Sequence, residues 1–215
     1  MARPVLVVLA GVNGAGKSSI GGHQLTQAGL TWFNPDTFAR ELRAATGCTP
    51  EDANARAWAE GLRRLDDAFA ARRDYAFETT LGGRTVPARI HGASETHDVI
   101  VWFCGLASAD VHVRRVRDRV AAGGHDIPEA RIRERYTTSR LNLIALLPDL
   151  TELRVYDNTT TVGSGESIPD PILVLEMTEG EIVHPAPDDA AALAAVPEWA
   201  RPVVEAAFTF YRTGP

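Results

Sequence analysis

Apolar residues along this chain fall into two rhythms. Short unbroken runs, Val5–Ala10 and Val99–Cys104, have the pattern of strands buried on both faces, as in a parallel sheet. Longer stretches repeat apolar residues every three or four positions, the spacing of helices with one buried face. The pattern predicts strands at Val5–Ala10, Leu30–Asn34, Tyr75–Phe77, Asp98–Cys104 and Leu153–Asp157. It predicts helices from Lys17 to about Ala28 and over Thr37–Ala45, Pro50–Arg73, Arg84–Glu95, Ala109–Ala121 and Pro128–Leu147. Pro50 suits a first helical turn, and Glu51 and Asp52 suit the positive end of a helix. Strand–helix alternation predicts an α/β fold, a parallel sheet with helices on both faces. A polar loop at Gly163–Asp170 follows. Ile172–Met177 and Glu181–His184, joined through Thr178-Glu179-Gly180, read as a β-hairpin. Trp199, Val203, Ala207 and Tyr211 then recur at helical spacing and predict a closing helix. A single domain over 1–215 is expected, with the hairpin and helix occupying about 170–212.

Composition narrows the function. The chain has 215 residues, 45% hydrophobic and 23% charged, ordinary for a globular protein able to build its own core. Its formal net charge of -6 disfavours a nucleic-acid partner, and no basic groove interleaved with aromatics is present. The apolar run at Val5–Ala10 is too short to span a membrane and lacks a cleavage pattern. No membrane association and a cytoplasmic location are expected. Cys48 and Cys104 match no zinc or redox spacing and read as idle thiols. Among 22 basic residues the sequence holds one lysine, Lys17.

That lysine lies in Gly11-Val12-Asn13-Gly14-Ala15-Gly16-Lys17-Ser18, which fits G-x-x-x-x-G-K-S/T at every fixed position. A buried strand precedes it and a helix follows, as the motif requires. Glycines let main-chain N–H groups wrap a phosphate, and the helix N-terminus adds partial positive charge. Gly11, Asn13, Gly14, Ala15, Gly16, Lys17, Ser18 and Ser19 are therefore the expected cofactor-binding residues for ATP. Lys17 would bridge the β- and γ-phosphates, and Ser18 would offer its hydroxyl to Mg²⁺.

Other features sort among phosphate-loop proteins. Motor and transport ATPases use an apolar strand that ends in an acid, whereas Val99–Cys104 runs into Gly105-Leu106. A guanine-reading N-K-x-D would need a second lysine. These absences lower switch GTPases, AAA machines and transporter cassettes, and favour a small-molecule kinase. Two acids follow strands: Asp36 in Phe33-Asn34-Pro35-Asp36 and Glu78 in Phe77-Glu78-Thr79-Thr80. In an open parallel sheet the ligand crevice lies beyond the strands' carboxyl ends, so both acids fall on the edge that carries Lys17. Asp36 is the candidate base for an attacking hydroxyl; its plainer use is to cap the next helix. Glu78, with Thr79, Thr80 and Asn34, is the candidate holder of the acceptor; its plainer use is a solvated strand end. Arg114, Arg115, Arg117, Arg119, Arg131, Arg133, Arg135 and Arg140 flank Gly123-Gly124, an arrangement suited to a hinged arginine lid over about 109–147. The plainer use of each is a solvated helix face beside Glu129 and Glu134. A regulator or slow ATPase without a dedicated acceptor is the alternative reading, as is a kinase for another nucleotide or a nucleic-acid end.

The ordered set Gly11–Ser19, Asn34-Pro35-Asp36, Phe77-Glu78-Thr79-Thr80, Arg119 to Glu129, Ile132 to Tyr136 and Asn142-Leu143 resembles the zeta-toxin family of P-loop kinases, in its compact chromosomal branch. The resemblance runs from about Val5 to Asn158. It implies phosphorylation by ATP of a small-molecule hydroxyl such as one on UDP-N-acetylglucosamine. It implies Asp36 as catalytic base, Lys17 and Ser18 at the triphosphate and metal, Glu78 at the sugar nucleotide, and Arg119 and Arg135 as lid arginines. It also implies an antitoxin protein as partner.

Overall fold

A computed structural model describes residues 2–18, 21, 25, 32–160 and 170–213. Its sheet has six strands in the order β2-β1-β3-β4-β5-β6. These are β1 (Val5–Ala10), β2 (Tyr75–Thr79), β3 (Asp98–Gly105), β4 (Glu152–Asp157), β5 (Ile172–Thr178) and β6 (Glu181–His184). The first four run parallel, and β5 and β6 join antiparallel. The helices are α1 (Pro35–Thr46), α2 (Pro50–Ala70), α3 (Thr85–Ser94), α4 (Ala109–Ala121), α5 (Glu129–Leu146), α6 (Ala190–Ala195) and α7 (Arg201–Thr213). Lys17, Ser18, Gly21 and Leu25 are also helical. This is the α/β P-loop fold that the alternating pattern predicts.

The period of two along β1 divides the core. Leu6, Val8 and Ala10 join the large cluster with Val86 and Ile90 of α3, Leu143 and Leu146 of α5, and Val203 and Ala207 of α7. Val7 and Leu9 face the other way and pack with Leu25 and Ala76. Both faces are thus covered, as continuous apolar strands require.

Register sets the functional rim. Ala10 stands level with Thr79 of β2 and Phe103 of β3, and Gly105 with Asp157 of β4. The carboxyl ends of four parallel strands therefore reach one edge.

Several expectations shift. The strand expected at Leu30–Asn34 reduces, within the described residues, to one parallel bridge from Phe33 to Phe77. The first helix after it begins at Pro35, because the Asn34 side chain accepts from the Asp36 and Thr37 amides. Asn34, not Asp36, is the cap. β2 runs through to Thr79, so Glu78 belongs to a strand end held in the sheet. The hairpin turns on Glu179 and Gly180, both at positive φ, as a two-residue turn demands. Trp199 precedes α7 instead of lying within it, and α6 was not anticipated. The second half of α5, part of the lid expected over about 109–147, packs into the core through Leu143 and Leu146. Most of the polar loop at Gly163–Asp170 lies outside the described residues. Cys104 is buried, which pushes its thiol up to about 12 and leaves it unreactive. No helix among the described residues is long and apolar enough to cross a membrane.

Candidate active site

The phosphate loop leaves β1 at Gly11, where φ is 137°. A Cβ there would stand 2.2 Å from the Cys104 carbonyl oxygen, so the loop can part from β3 only through glycine. The loop closes on itself where the Ala15 amide donates to the Val12 carbonyl at 3.1 Å. Three side chains brace it. Asn158 donates to the Ala15 carbonyl at 2.9 Å. The His112 Nδ1 donates to the Asn13 carbonyl at 2.9 Å. Arg135 donates to the Asn13 Oδ1 at 2.8 Å. His112 is buried under the loop, and that burial lowers its pKa to about 4. Its ring is neutral, and Nε2 has no hydrogen-bond partner.

Lys17 is buried. Its ammonium donates to the Val12 carbonyl at 3.4 Å and lies 3.5 Å from Oε1 of Glu78. The other Glu78 oxygen, Oε2, accepts from the Ser18 hydroxyl at 2.9 Å and from the Asn34 amide at 3.0 Å. Asn34 therefore does two things: its oxygen caps α1 and its nitrogen fixes Glu78. The Ser18 and Glu78 oxygens converge beside the loop. Such a pair fits Mg²⁺, which binds through one or two protein oxygens, phosphates and water. No cluster of three or more histidine, cysteine or acidic residues able to hold a metal alone occurs among the described residues.

A cleft of about 380 Å³ opens over this group. Lys17, Asn13, Asn34, Asp36, Glu78, Thr79, Thr80 and Arg135 all line it. The carboxylate of Asp36 projects from the first turn of α1 and lies 3.8 Å from the Arg119 guanidinium. Arg119 itself is not among the lining residues; it donates to the His125 carbonyl at 2.8 Å. Ser19 lies outside the described residues.

The loop after β2 is clamped. Asn142 donates to the Leu81 and Gly83 carbonyls, Thr138 to Gly82, and Ser139 to Thr80. Leu81 adopts φ of 54°, a conformation a leucine holds only when its surroundings fix it. A Cβ on Gly82 would meet the Arg135 side chain at 2.6 Å. The arginine thus reaches Asn13 by passing over a glycine.

Seven of the eight arginines expected in a lid separate by partner. Arg117 and Arg133 pair with Glu129, Arg133 also with Asp110, and Arg131 with Glu134. These exposed pairs are the solvated faces of the plainer reading. Arg140 donates to the Tyr136 and Trp199 carbonyls and covers the Tyr136 ring. Arg115 donates to the Thr159 and Thr160 carbonyls. Arg119 and Arg135 alone among the seven reach residues of the cleft, through Asp36 and Asn13.

The cleft also includes Asn54 and Trp58 of α2, which motif reading did not find, and His125 and Ile127 of the connection before α5, which lie in the Arg119 to Glu129 stretch. A tryptophan directly after the buried Ala57, in a helix otherwise dominated by charge, was the available signal.

Residues 6–138 match the family model AAA_33, described as an AAA domain. Among solved structures, the chain is similar to one from the AvrRxo1-ORF1:ORF2 complex crystallised with ATP. That likeness has 18% identity and a TM-score of 0.62, and covers 84% of this chain and 60% of the other. It is also similar to a chain of the PezAT chromosomal toxin–antitoxin system of Streptococcus pneumoniae (13% identity, TM-score 0.53, covering 78% and 75%). A third likeness is to a chain of the Pnkp1/Rnl/Hen1 RNA repair complex (19% identity, TM-score 0.52, covering 66% and 46%). The chain thus spans about 60% of the AvrRxo1 chain and under half of the RNA repair chain. At such identities the likeness is one of fold. No curated protein matches the sequence. The expectation that lowered AAA machines meets a family carrying the AAA name. The strand feature behind that expectation stands, since β3 ends in Cys104-Gly105 without an acid. The rim acid, Glu78, comes instead from β2, the other neighbour of β1.

Proposed function

The chain belongs to the AAA_33 family of AAA domains, and on that premise we propose that it transfers the γ-phosphoryl group of ATP to a hydroxyl of a small molecule. The observation that carries this reading is one cleft lined by a phosphate-loop lysine, two carboxylates and an arginine, Lys17, Asp36, Glu78 and Arg135. A nucleotide hydrolase needs to position water only. The same cleft is also lined by Thr79, Thr80 and, on α2, Asn54 and Trp58, contacts that a water alone would not need.

In this reading the amides of Gly14 to Ser18 and the Lys17 ammonium grip the β- and γ-phosphates. Ser18 and Glu78 would hold magnesium, which would supply neutralisation of phosphate charge. Asn34, Thr79, Thr80 and the Glu78 side chain orient the acceptor. Asp36 takes the proton from the acceptor hydroxyl as its oxygen bonds to the γ-phosphorus. The bond from that phosphorus to the β–γ bridging oxygen breaks, and ADP leaves. Arg135 and Arg119 spread the charge that develops on the equatorial oxygens. The lid is the short connection between α4 and α5 with its flanking turns. Resemblance to zeta toxins extends the proposal to a UDP-activated amino sugar such as UDP-N-acetylglucosamine as acceptor, and to an antitoxin protein as partner.

The test is transfer of label from γ-labelled ATP to a panel of nucleotide sugars and nucleotides. Asp36→Asn is expected to keep ATP affinity while turnover falls by about 10²–10⁴. Lys17→Ala is expected to abolish transfer. Steady ATP hydrolysis without transfer to any acceptor in the panel would overturn the reading in favour of an ATPase.

A further inference from the structure

We propose that Trp58, with Asn54 one turn earlier on α2, reads the acceptor by stacking against a nucleobase; the inference rests on the phosphotransferase reading for the word acceptor and on geometry for the rest. Four large hydrophobic side chains are exposed among the described residues: Trp58, Leu141, Ile172 and Val183. Trp58, at 47% exposure, is the one of these that lines the cleft. The same helix buries Ala53, Ala57, Leu65 and Ala68, so its inward face is complete without the indole. Small residues at Ala57 and Gly61 leave a shallow apolar recess beside the cleft. Trp58 lines that recess together with Phe33, Leu62 and Phe77. At about 30 Å³ it holds no ring of its own, but it gives the indole an apolar backing.

The polar partner lies on the same helix face. Residues four apart on a helix are neighbours, and Asn54 lines the cleft beside Trp58. Its amide nitrogen meets the His125 Nε2 at 3.3 Å. The pair therefore joins α2 to the connection before α5 across the cleft. An aromatic face next to an amide and an imidazole is the chemistry that recognises a base: a π-surface for the ring, and donors and acceptors for its edge. The phosphate loop lines the same cleft through Asn13 and Lys17. Asp36 and Thr79 line it too, so a ligand whose nucleobase lies on Trp58 shares one cleft with the candidate catalytic base. A cleft of about 380 Å³ lies within the size range of small-molecule sites.

The test separates base recognition from catalysis. The full-length chain, saturated with magnesium and a non-hydrolysable ATP analogue to occupy the first nucleotide site, is titrated calorimetrically with the four nucleoside 5′-monophosphates. Ribose 5-phosphate serves as the control without a base. At least one nucleoside monophosphate is expected to bind, and ribose 5-phosphate to bind at least about tenfold more weakly. Trp58→Leu is expected to weaken the bound nucleotide by about tenfold or more, and Trp58→Phe to recover most of that loss. Asn54→Ala is expected to change the ranking of the four bases. Equal binding by wild type and Trp58→Leu, equal binding of ribose 5-phosphate, or no binding by any of the four would overturn the proposal. Base binding that depends on Trp58 in a protein that transfers no phosphate would support it, and would count against the phosphotransferase reading alone.

Discussion

His112 offers a quantitative check on the architecture under the phosphate loop. Its ring is buried, donates through Nδ1 to the Asn13 carbonyl, and leaves Nε2 unpartnered. Lys17, Arg115 and Arg140 add positive charge nearby, and the Tyr136 ring packs edge-on. Burial is the main cause that lowers its pKa from 6.5 to about 4. Below pH 6.5 the unfolded chain takes up a proton that the folded chain refuses until about pH 4. Stability contributed by the neutral ring is therefore full above pH 6.5 and falls as pH drops through that window. At about 1.4 kcal/mol per pH unit, the loss reaches about 2–3 kcal/mol by about pH 4.5. Carboxylates that titrate lower, such as Glu60 held at about 2 by Arg63 and Arg64, also weaken the fold in acid. His91, raised by Asp149, works in the opposite direction. The comparison is therefore with His112→Asn, whose amide nitrogen stands near the place of Nδ1 and does not titrate. Urea unfolding followed by tryptophan fluorescence, from about pH 7.5 to about pH 4.5, gives both curves. Wild type should lose about 2–3 kcal/mol more than the variant across that range. Parallel curves would mean that the ring is not held neutral, and the account of the loop's support would fail.

Three further outcomes follow from single contacts. Gly82→Ala forces a Cβ against the base of the Arg135 side chain; it should cost about 1–3 kcal/mol of stability while turnover of the folded protein falls roughly tenfold or more, read by melting and steady-state rates on one preparation. Gly11→Ala places a Cβ 2.2 Å from a β3 carbonyl at positive φ, and should cost about 3 kcal/mol or prevent folding, measured by denaturant midpoint. Glu78→Gln keeps the shape of the group that meets Ser18 and Asn34 but removes its charge; the magnesium concentration for half-maximal activity should rise roughly tenfold, and an unchanged value would remove Glu78 from the metal's surroundings.

What could be read from the sequence follows the range of the interactions involved. The phosphate loop is legible because its requirements are local: a strand, glycines, a lysine and a helix in one short run. Asp36 and Glu78 are legible one step further out, because parallel strands put their carboxyl ends on one rim whatever the helices do. The partners of these acids are not legible. That Asn34 caps α1 with its oxygen and holds Glu78 with its nitrogen depends on how Phe33 bridges to β2. Arg135 could not be told from Arg131 or Arg133 by spacing. The three separate only because α5 meets the loop after β2 at Gly82, while Glu129, Asp110 and Glu134 take the others. Trp58 depends on the rotation of a long helix in which charge obscures the periodicity.

The charges at the rim are matched to one another in a way that bears on how a triphosphate could enter. Lys17 rests against Glu78, and Asp36 faces Arg119. A buried ammonium without a partner would cost several kcal/mol, so Glu78 gives the phosphate loop a stable state of its own. A γ-phosphate at Lys17 would replace one anion with another, and the ammonium would stay paired throughout. The same substitution would turn the Glu78 carboxylate toward Ser18 and Asn34, which already hold its second oxygen. At the other pair, a phosphate that drew Arg119 inward would free Asp36 to accept a proton. Lys17 and Arg119 would thus each trade a carboxylate for a phosphate oxygen, and Asp36 would be released where the reaction would use it. A single-sign cluster could not do this: a rim of arginines alone would bind anions but hold no base, and a rim of acids alone would repel the nucleotide.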